Sequence, residues 1–241
     1  MASDSISTLA SSGLPLLRPA GDSALLVIFG RQIDRAVNQM AHALARVLSV
    51  HRLHGVGEAV PAYATVLVNY DPLVISYPEI EDWVRSCLKQ TAVETGQPPR
   101  LVEIPVLYGG EDGPDLDFVA SHNHLTPAEV IQRHSGREYP VYMIGFTPGF
   151  PYLGGLDPAI AAPRLPTPRS RVPGGSVGIA GEQTGIYPVD SPGGWRIIGR
   201  TPLRLFDPLR DPPFLLEPGD VVRFVAMQSP GSLAGGSDGE R

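Results

Sequence analysis

The amino-acid sequence predicts an α+β fold in which a small α/β unit precedes a larger β-rich unit. Two observations lead to this prediction. In the amino-terminal part, β-like runs alternate with amphipathic helical segments, whereas short β-like runs cut by Gly and Pro follow Tyr139. Many short strands with regular punctuation are typical of a barrel or a sandwich. The 241 residues suffice for one large β-rich domain or for two smaller domains.

Strand and helix signals alternate in the amino-terminal part. Residues 23–29 form a β-like apolar run, and residues 63–70 return to a β-rich pattern. Between them, apolar residues recur every three or four positions on a helix that Asp34 would cap. This stripe consists of Val37, Met40, Ala41, Leu44, Val47 and Leu48. Pro78 opens a second helix. Its inward residues are expected to be Ile80, Trp83, Val84, Cys87 and Leu88.

A change of composition marks a domain boundary. Residues 94–100, ETGQPPR, have the composition of a linker. We therefore expect an amino-terminal domain over residues 14–97 and a second domain over residues 98–228. The polar ends, 1–13 and 229–241, are expected to be disordered.

The second domain opens with the β-like run LVEIPVLYG, followed by two short helical segments. The later segment begins at Thr126, with Pro127 in the first turn and Glu129 closing a capping box. Six β-like runs then follow, namely VYMIGF, SVGIAG, TGIYPV, WRIIG, LRLF and VVRFVAM. After the first of them, the Gly and Pro content of GFTPGFPYLGGL, residues 145–156, predicts a loop that carries exposed aromatic rings.

Composition and charge argue against several classes of partner. The net charge of -6 argues against nucleic acid or an anionic membrane as the main partner. The single cysteine, Cys87, cannot form an internal disulfide, and no apolar run reaches the length of a membrane span. The amino terminus lacks the basic and apolar regions of a signal peptide, so we expect a cytoplasmic protein.

Three short motifs resemble catalytic or metal-binding signatures, but their surroundings in the sequence favour a structural role. GFTPG and GGSVG fit the nucleophile-elbow pattern, but no helix signal follows either of them, so we interpret both as loop punctuation. His122 and His124 have no nearby carboxylate or cysteine to complete a ligand set, so we expect no metal site in this chain. The sequence GxxxxGK[ST] does not occur, and the chain therefore has no phosphate-binding P-loop.

The segment 134–204 carries a dense set of polar groups on connections rich in Gly and Pro. Six arginines in it suit a carboxylate or a phosphate: Arg164, Arg169, Arg171, Arg196, Arg200 and Arg204. Hydrogen-bonding groups and one ring accompany them: Gln183, Thr184, Tyr187, Asp190, Ser191 and Trp195. Long connections in a compact β domain are often functional, so we expect a binding site here.

An ordered series of motifs resembles a known family. GFTPGFPYLGGLDP is followed by PRLPTPRSRVPGGSVGIAGEQTGIYPVDSPGGWRIIGRTPLRLFDP and by EPGDVVRF, and LRPAGDSALLVIFG stands near the start. This series closely resembles the KipI family, also named allophanate hydrolase subunit 1 or the B subunit of the bacterial 5-oxoprolinase. The resemblance covers nearly the whole chain.

The resemblance implies a small α/β amino-terminal domain and a carboxy-terminal β-barrel of cyclophilin-like fold. It also implies two partners, a KipA or allophanate hydrolase subunit 2-type protein and a LamB/YcsF-type subunit. Together they would form a hydrolase that opens 5-oxoproline to glutamate at the expense of ATP, with the ATP and magnesium site shared among subunits. Other members inhibit a sporulation histidine kinase or belong to urea carboxylase, so these two roles stay open. The chain has no Met-Lys pair for biotin attachment.

A 5-oxoproline substrate would assign roles to the polar segment. Its carboxylate needs a cation, which Arg169 or Arg171 would supply, and its lactam oxygen needs a donor, either Gln183 or a backbone N–H within residues 174–178. The expected substrate-binding residues are Phe146, Phe150, Tyr152, Arg169, Arg171, Gly175, Ser176, Gly178, Gln183, Tyr187 and Trp195. The candidate catalytic residues are His134, Arg171 and Gln183.

Overall fold

A computed structural model describes residues 15–91 and 99–227. The chain divides into two compact units, Met1–Pro99 and Arg100–Arg241. The two ends that were predicted to be disordered, 1–13 and 229–241, lie outside the described residues. Within the described ranges, each helix is either too short or too polar to cross a membrane.

The first unit is a four-stranded antiparallel sheet, in the order β1-β2-β4-β3, with two helices. Its elements are β1 (Leu16–Pro19), β2 (Ala24–Ile28), α1 (Arg35–Val50), β3 (Val56–Pro61), β4 (Thr65–Tyr70) and α2 (Tyr77–Thr91). Both predicted strands and both predicted helices are therefore present. The sequence analysis missed β1 and β3 because both are edge strands with exposed residues that break the apolar pattern.

Local signals explain the two helices of this unit. The Asp34 side chain accepts a hydrogen bond from the Val37 N–H (3.0 Å) and caps α1 as predicted. The apolar stripe of α1 and the inward side of α2 pack against the sheet and bury Leu44, Ile80 and Cys87. Burial also raises the pKa of the Cys87 thiol.

The second unit contains a closed seven-stranded barrel in the order β10-β7-β6-β13-β5-β12-β9. The barrel strands are β5 (Leu101–Tyr108), β6 (Glu138–Ile144), β7 (Pro151–Leu153), β9 (Ser176–Ala180), β10 (Gln183–Ile186), β12 (Arg196–Arg200) and β13 (Val221–Ala226). A separate two-stranded sheet pairs β8 (Arg169–Val172) with β11 (Ser191–Gly193). The pair β5 and β13 is parallel, and the other barrel pairs are antiparallel. The predicted fold class is thus confirmed, and the β-rich unit is a barrel.

Two helices accompany the barrel, α3 (Leu116–His122) and α4 (Pro127–Ser135). The predicted capping box of α4 is present: Glu129 N–H donates to the Thr126 hydroxyl, and the Glu129 carboxylate accepts from the Thr126 N–H. Val119 of α3 and Val130 of α4 are fully buried in the barrel core. The two helices therefore pack against the barrel strands and contribute to the same core.

Two of the predicted elements in this unit were wrong. GFTPGFPYLGGL was expected to be loop throughout, but Pro151–Leu153 forms β7, between β6 and β10. Pro151 is tolerated because it is the first residue of the strand. The run LRLF was expected to be a strand, yet its only pairing in the described residues is an isolated bridge between Phe206 and Phe214.

Candidate functional site on the outer face of the barrel

Four neighbouring barrel strands, β12, β9, β10 and β7, carry apolar residues on both of their faces. Successive side chains of a strand point to opposite faces. One face contributes Leu153, Ile179 and Ile186 to the barrel core. The other face carries a second cluster, here named the outer aromatic cluster. Its buried members are Phe150, Val172, Ala180, Tyr187, Trp195 and Ile197, with Tyr152 partly buried against them.

Two glycines form the floor of the outer aromatic cluster. Gly178 of β9 and Gly185 of β10 are directly paired, and neither has a side chain to fill the space above the strands. A Cβ at Gly185 would lie 3.0 Å from Trp195 and 3.1 Å from Phe150, and one at Gly178 would lie 3.1 Å from the Trp195 Cβ. The rings therefore rest directly on the backbone. Gly178 was among the predicted site residues, and Gly185 was missed.

Phe150 is the centre of the cluster. Its ring centroid lies 4.9 Å from that of Tyr152, 5.2 Å from that of Tyr187 and 5.5 Å from that of Trp195. The expectation that this loop exposes its rings is wrong for Phe150, which is only 2% exposed. Phe146 is the exposed ring at 63%, and its centroid lies 5.6 Å from that of Phe150. Phe146 and Tyr152 thus form an accessible rim beside a buried centre.

The backbone of residues 145–150 closes on itself and holds Phe146 outward. Gly145 N–H donates to the Phe150 carbonyl (3.0 Å), and Phe150 N–H donates to the Thr147 carbonyl (3.1 Å). Phe146 has φ 65°, in the left-handed region that costs a non-glycine residue free energy. The loop therefore presents this ring at an energetic cost, which is a feature common at binding sites.

Arg171 already has a carboxylate partner. Its Nε donates to Asp190 (2.8 Å), and Asp190 also accepts from the Gly174 N–H (2.8 Å). Both hydrogen bonds lower the pKa of Asp190, and the bond from Gly174 has the larger effect. The next amides of the glycine-rich turn are also used: Gly175 N–H donates to the Tyr187 carbonyl, and Ser176 N–H donates within the turn. The backbone donors expected for a ligand at residues 174–176 are thus occupied.

Gly175 and Ser176 have local structural reasons for their positions. Gly175 has φ 85°, and a Cβ there would lie 2.4 Å from the Thr201 carbonyl oxygen, so only glycine fits. Ser176 is buried at the start of β9. Both residues shape the turn that joins β8 to β9.

Asp115 was missed by the sequence analysis, although it organises one edge of the outer aromatic cluster. This buried carboxylate accepts from Arg169 Nη2 (3.0 Å) and from the Ile197 N–H (2.7 Å). Arg196 lies 3.8 Å away from it and places its guanidinium 3.5 Å from the centroid of the Phe118 ring. Asp115 precedes α3 and resembles an ordinary helix cap, but its side chain makes no capping hydrogen bond.

His134 lies inside the barrel and not at the outer aromatic cluster. The Thr184 hydroxyl donates to the Gly178 carbonyl (3.0 Å) and therefore accepts from His134 Nε2–H (2.9 Å). His134 Nδ1 accepts from the Tyr108 hydroxyl (2.7 Å). These bonds define a neutral ring with its proton on Nε2, and burial lowers the pKa of His134 to about 3.

Two further predicted residues, Gln183 and Arg164, lie beside the ring residues of the cluster. Gln183 of β10 is half-buried and faces the same side as Gly185, diagonal to Tyr152 on β7. Arg164 places its guanidinium carbon 6.0 Å from the centroid of the Trp195 ring. Burial raises the pKa of Tyr152, and the Arg164 charge opposes this rise in part. Burial also raises the pKa of Tyr187, opposed first by a hydrogen bond with the Trp195 backbone and then by the Arg164 charge. Both phenols therefore stay protonated at neutral pH.

The described residues contain no group of three or more His, Cys, Asp and Glu side chains arranged to hold a metal ion. His122, considered above as half of a metal site, stacks on Phe118 with ring centroids 5.7 Å apart.

Comparisons with known proteins converge on one family. The carboxyltransferase domain, subdomain C and D, matches residues 15–216. Over 217 residues the chain is 48% identical to the B subunit of 5-oxoprolinase from Bacillus subtilis (strain 168), a match that covers 86% of this chain and 90% of that protein. The KipI-family resemblance noted in the motifs is therefore confirmed.

Solved structures show the same fold. The crystal structure of TTHA0988 gives a TM-score of 0.76 at 40% identity and covers 89% of this chain. This chain spans only 41% of the length of that protein. Kluyveromyces lactis urea carboxylase gives a TM-score of 0.69 at 22% identity, over 88% of this chain and 22% of that chain, which shows a shared fold alone.

Proposed function

The chain belongs to the family of the carboxyltransferase domain, subdomain C and D, and we propose that it is the B subunit of an ATP-dependent 5-oxoprolinase. The observation that carries the proposal is its 48% identity to the B subunit of the Bacillus subtilis 5-oxoprolinase over 90% of that protein. In this proposal it acts in the cytoplasm with a KipA-type and a LamB/YcsF-type subunit. The complex converts 5-oxoproline, ATP and water to L-glutamate, ADP and phosphate.

The rim of the outer aromatic cluster is the proposed substrate-binding surface of this chain. A lactam is a small, flat ring with one hydrogen-bond donor and one acceptor beside apolar carbon atoms. Phe146 and Tyr152 offer ring surface, and the Gln183 amide offers both a donor and an acceptor at the same rim. The buried rings beneath fix this surface before the ligand arrives, which lowers the entropic cost of binding.

The paired arginines receive a different role from the one that the sequence suggested. Arg169 would have to leave the buried Asp115, and Arg171 would have to leave Asp190, before either could bind a substrate carboxylate bidentately. We therefore propose that these two arginines hold β8 and its turn in place. The exchange would be easier at Arg171, whose side chain is 76% exposed.

ATP binding is proposed to depend on the partner subunits. A phosphate commonly binds to free backbone N–H groups of a glycine-rich turn. The Gly174, Gly175 and Ser176 amides of this chain already donate within the protein, so that turn does not fit a phosphate. ATP supplies a phosphoryl group that makes the lactam carbonyl electrophilic. The chain itself would bind and orient the lactam.

Glutamate release from 5-oxoproline and ATP tests the proposal. The chain is combined with a KipA-type and a LamB/YcsF-type subunit from the same organism, and the chain is omitted in the control. Glutamate should appear only in the complete mixture. A demonstrably assembled complex that releases none would reject the proposed reaction and favour the kinase-binding or urea-related roles.

The rim is tested by Phe146→Ala in the same assay. Loss of one exposed ring from a small binding surface should lower kcat/KM about 10-fold. Leu209→Ala is the matched control, because Leu209 is also apolar and 95% exposed but lies outside the outer aromatic cluster. Equal activities of the two variants would remove Phe146 from the binding surface.

A further inference from the structure

Hydrogen bonds on both sides of Arg164 fasten its backbone to the segment around Trp195. The Pro163 carbonyl accepts from Arg196 Nε (3.2 Å), and the Leu165 N–H donates to the Gly194 carbonyl (2.7 Å). The Arg164 guanidinium therefore starts from an anchored backbone and lies over the Trp195 ring, 6.0 Å from its centroid. Attraction between the cation and the ring favours this position at the edge of the outer aromatic cluster.

Arg164 differs from the nearby arginines in its relation to carboxylates. Arg169 and Arg196 both pair with Asp115. Among residues 15–91 and 99–227, no Asp or Glu forms an ion pair with Arg164. Glu182 follows Gly181, which forms an isolated β-bridge with Ala162, two residues before Arg164. Glu182 nevertheless forms no ion pair with Arg164. Arg169 and Arg196 therefore share one carboxylate, and Arg164 holds its position beside the Trp195 ring without one.

We propose that Arg164 binds the anionic group of the ligand that occupies the rim. A guanidinium presents planar N–H donors that match a carboxylate or a phosphate. A ligand bound there would displace no internal ion pair, whereas binding to Arg169 would release the buried Asp115. The proposal rests on the function proposed above, in which the anionic group is the 5-oxoproline carboxylate. A phosphate of ATP presents the same chemistry, and the two sources are separable by experiment.

Arg164→Gln in the assembled complex is the first test. Loss of a charge-assisted hydrogen-bonded pair should raise the KM for 5-oxoproline about 10- to 100-fold, with kcat and the KM for ATP nearly unchanged. A rise in the KM for ATP alone would identify phosphate as the anionic group. Unchanged values of both constants in an active complex would overturn the proposal while leaving the proposed function intact.

Arg223→Gln provides the matched control for loss of an arginine. Arg223 lies on β13, which is three strands away from both β9 and β10 around the barrel. It pairs with Glu103 and Glu138 at the surface. This variant should keep both KM values of the unchanged protein.

The NMR signal of the Trp195 indole N–H gives a readout that does not depend on turnover. In the assembled complex, 5-oxoproline should shift this signal, whereas 2-pyrrolidinone, the same lactam without a carboxylate, should shift it much less. Arg164→Gln should abolish the difference between the two ligands. Trp83, the other of the two tryptophans, lies in the first unit and serves as an internal reference.

The two readouts separate failure of this inference from failure of the proposed function. A complex that releases no glutamate, yet shows a Trp195 shift with 5-oxoproline, ATP or pyrophosphate that requires Arg164, would reject the reaction and keep the anion site. A complex in which none of these three probes causes an Arg164-dependent shift would overturn the anion site, whether or not the complex is active.

Discussion

The inner and outer faces of β7, β9, β10 and β12 bury similar apolar residues in different surroundings. The inner face belongs to a core with neutral polar groups, the hydroxyls of Tyr108 and Thr184 and the ring of His134, that satisfy one another. The outer face has charged residues at its edge, including Asp115 and Arg164. A sealed interior excludes charge because desolvation is costly, whereas an open edge can retain it. The outer face is therefore the one that can recognise a charged ligand.

Acid should affect the inner face most. The pKa of His134 is lowered to about 3, so its contribution to stability is complete above the unfolded pKa near 6.5 and declines as the pH falls toward 3. Between pH 6.5 and pH 4 the loss should be about 3 kcal/mol. Urea unfolding at pH 7 and pH 4 measures it. His134→Phe should remove this part of the pH dependence, and an identical dependence in both proteins would contradict the assignment.

Removal of the buried carboxylate at the outer edge should have the next largest effect. Asp115→Asn leaves Arg169 and Arg196 without a negative partner and should lower the free energy of unfolding by about 2–3 kcal/mol, below the range for fully buried pairs because Arg169 is part-exposed. Asp190→Asn is the control: its pair with Arg171 is exposed to solvent, so the expected loss of stability is smaller. Equal losses would show that burial at Asp115 contributes nothing.

A methyl group on the glycine floor should disturb the rings of the outer face. Gly185→Ala places a Cβ 2.9 Å from the Pro151 carbonyl oxygen, 3.0 Å from Trp195 and 3.1 Å from Phe150, so both rings and the β7 backbone must shift, at a cost of about 1–2 kcal/mol. Gly194→Ala is the matched variant, because its nearest new contact is an ordinary 3.6 Å. Thermal unfolding and Trp195 fluorescence should change in the first variant and not in the second. Unchanged fluorescence in Gly185→Ala would show that the rings do not rest on this floor.

The smallest stability change is expected at the exposed rim. Phe146→Gly relieves the left-handed backbone strain and loses only part of one ring contact, so the free energy of unfolding should rise by up to about 1 kcal/mol. Activity in the complex should fall, as for Phe146→Ala. A variant that is less stable than the unchanged protein would show that the contact with Phe150 outweighs the strain.

The elements that the sequence predicted well depend on neighbours in the chain. The Asp34 cap and the Thr126 capping box are complete within four residues, so their signals are visible in a short window. The family motifs added the barrel fold, which composition alone left open between a barrel and a sandwich. Edge strands and the short β7 escaped prediction because Pro, Gly and charged residues interrupt their pattern.

The site was predicted as a set of residues but not as an arrangement. The segment 134–204 does contain the outer aromatic cluster, yet its division into a buried centre and an exposed rim depends on which strand face each residue occupies. His134 contacts residues that are 26 and 50 positions away, and Asp115 contacts residues 54 and 82 positions away. No local pattern encodes such contacts, so their partners follow only from the folded barrel.

The position of β13 between β5 and β6 has a consequence for the order in which the barrel can form. β5 is the first barrel strand in the chain and β13 is the last, and their pairing joins residues that are 120 positions apart. Contacts between such distant residues carry a high entropic cost before they form, and they slow folding. During synthesis, the sides of β5 and β6 that β13 covers therefore remain unpaired until this last strand has left the ribosome. Unpaired strand sides of this kind are the parts of a folding chain that are open to association with other chains, and the pairing of β13 removes both of them in one step.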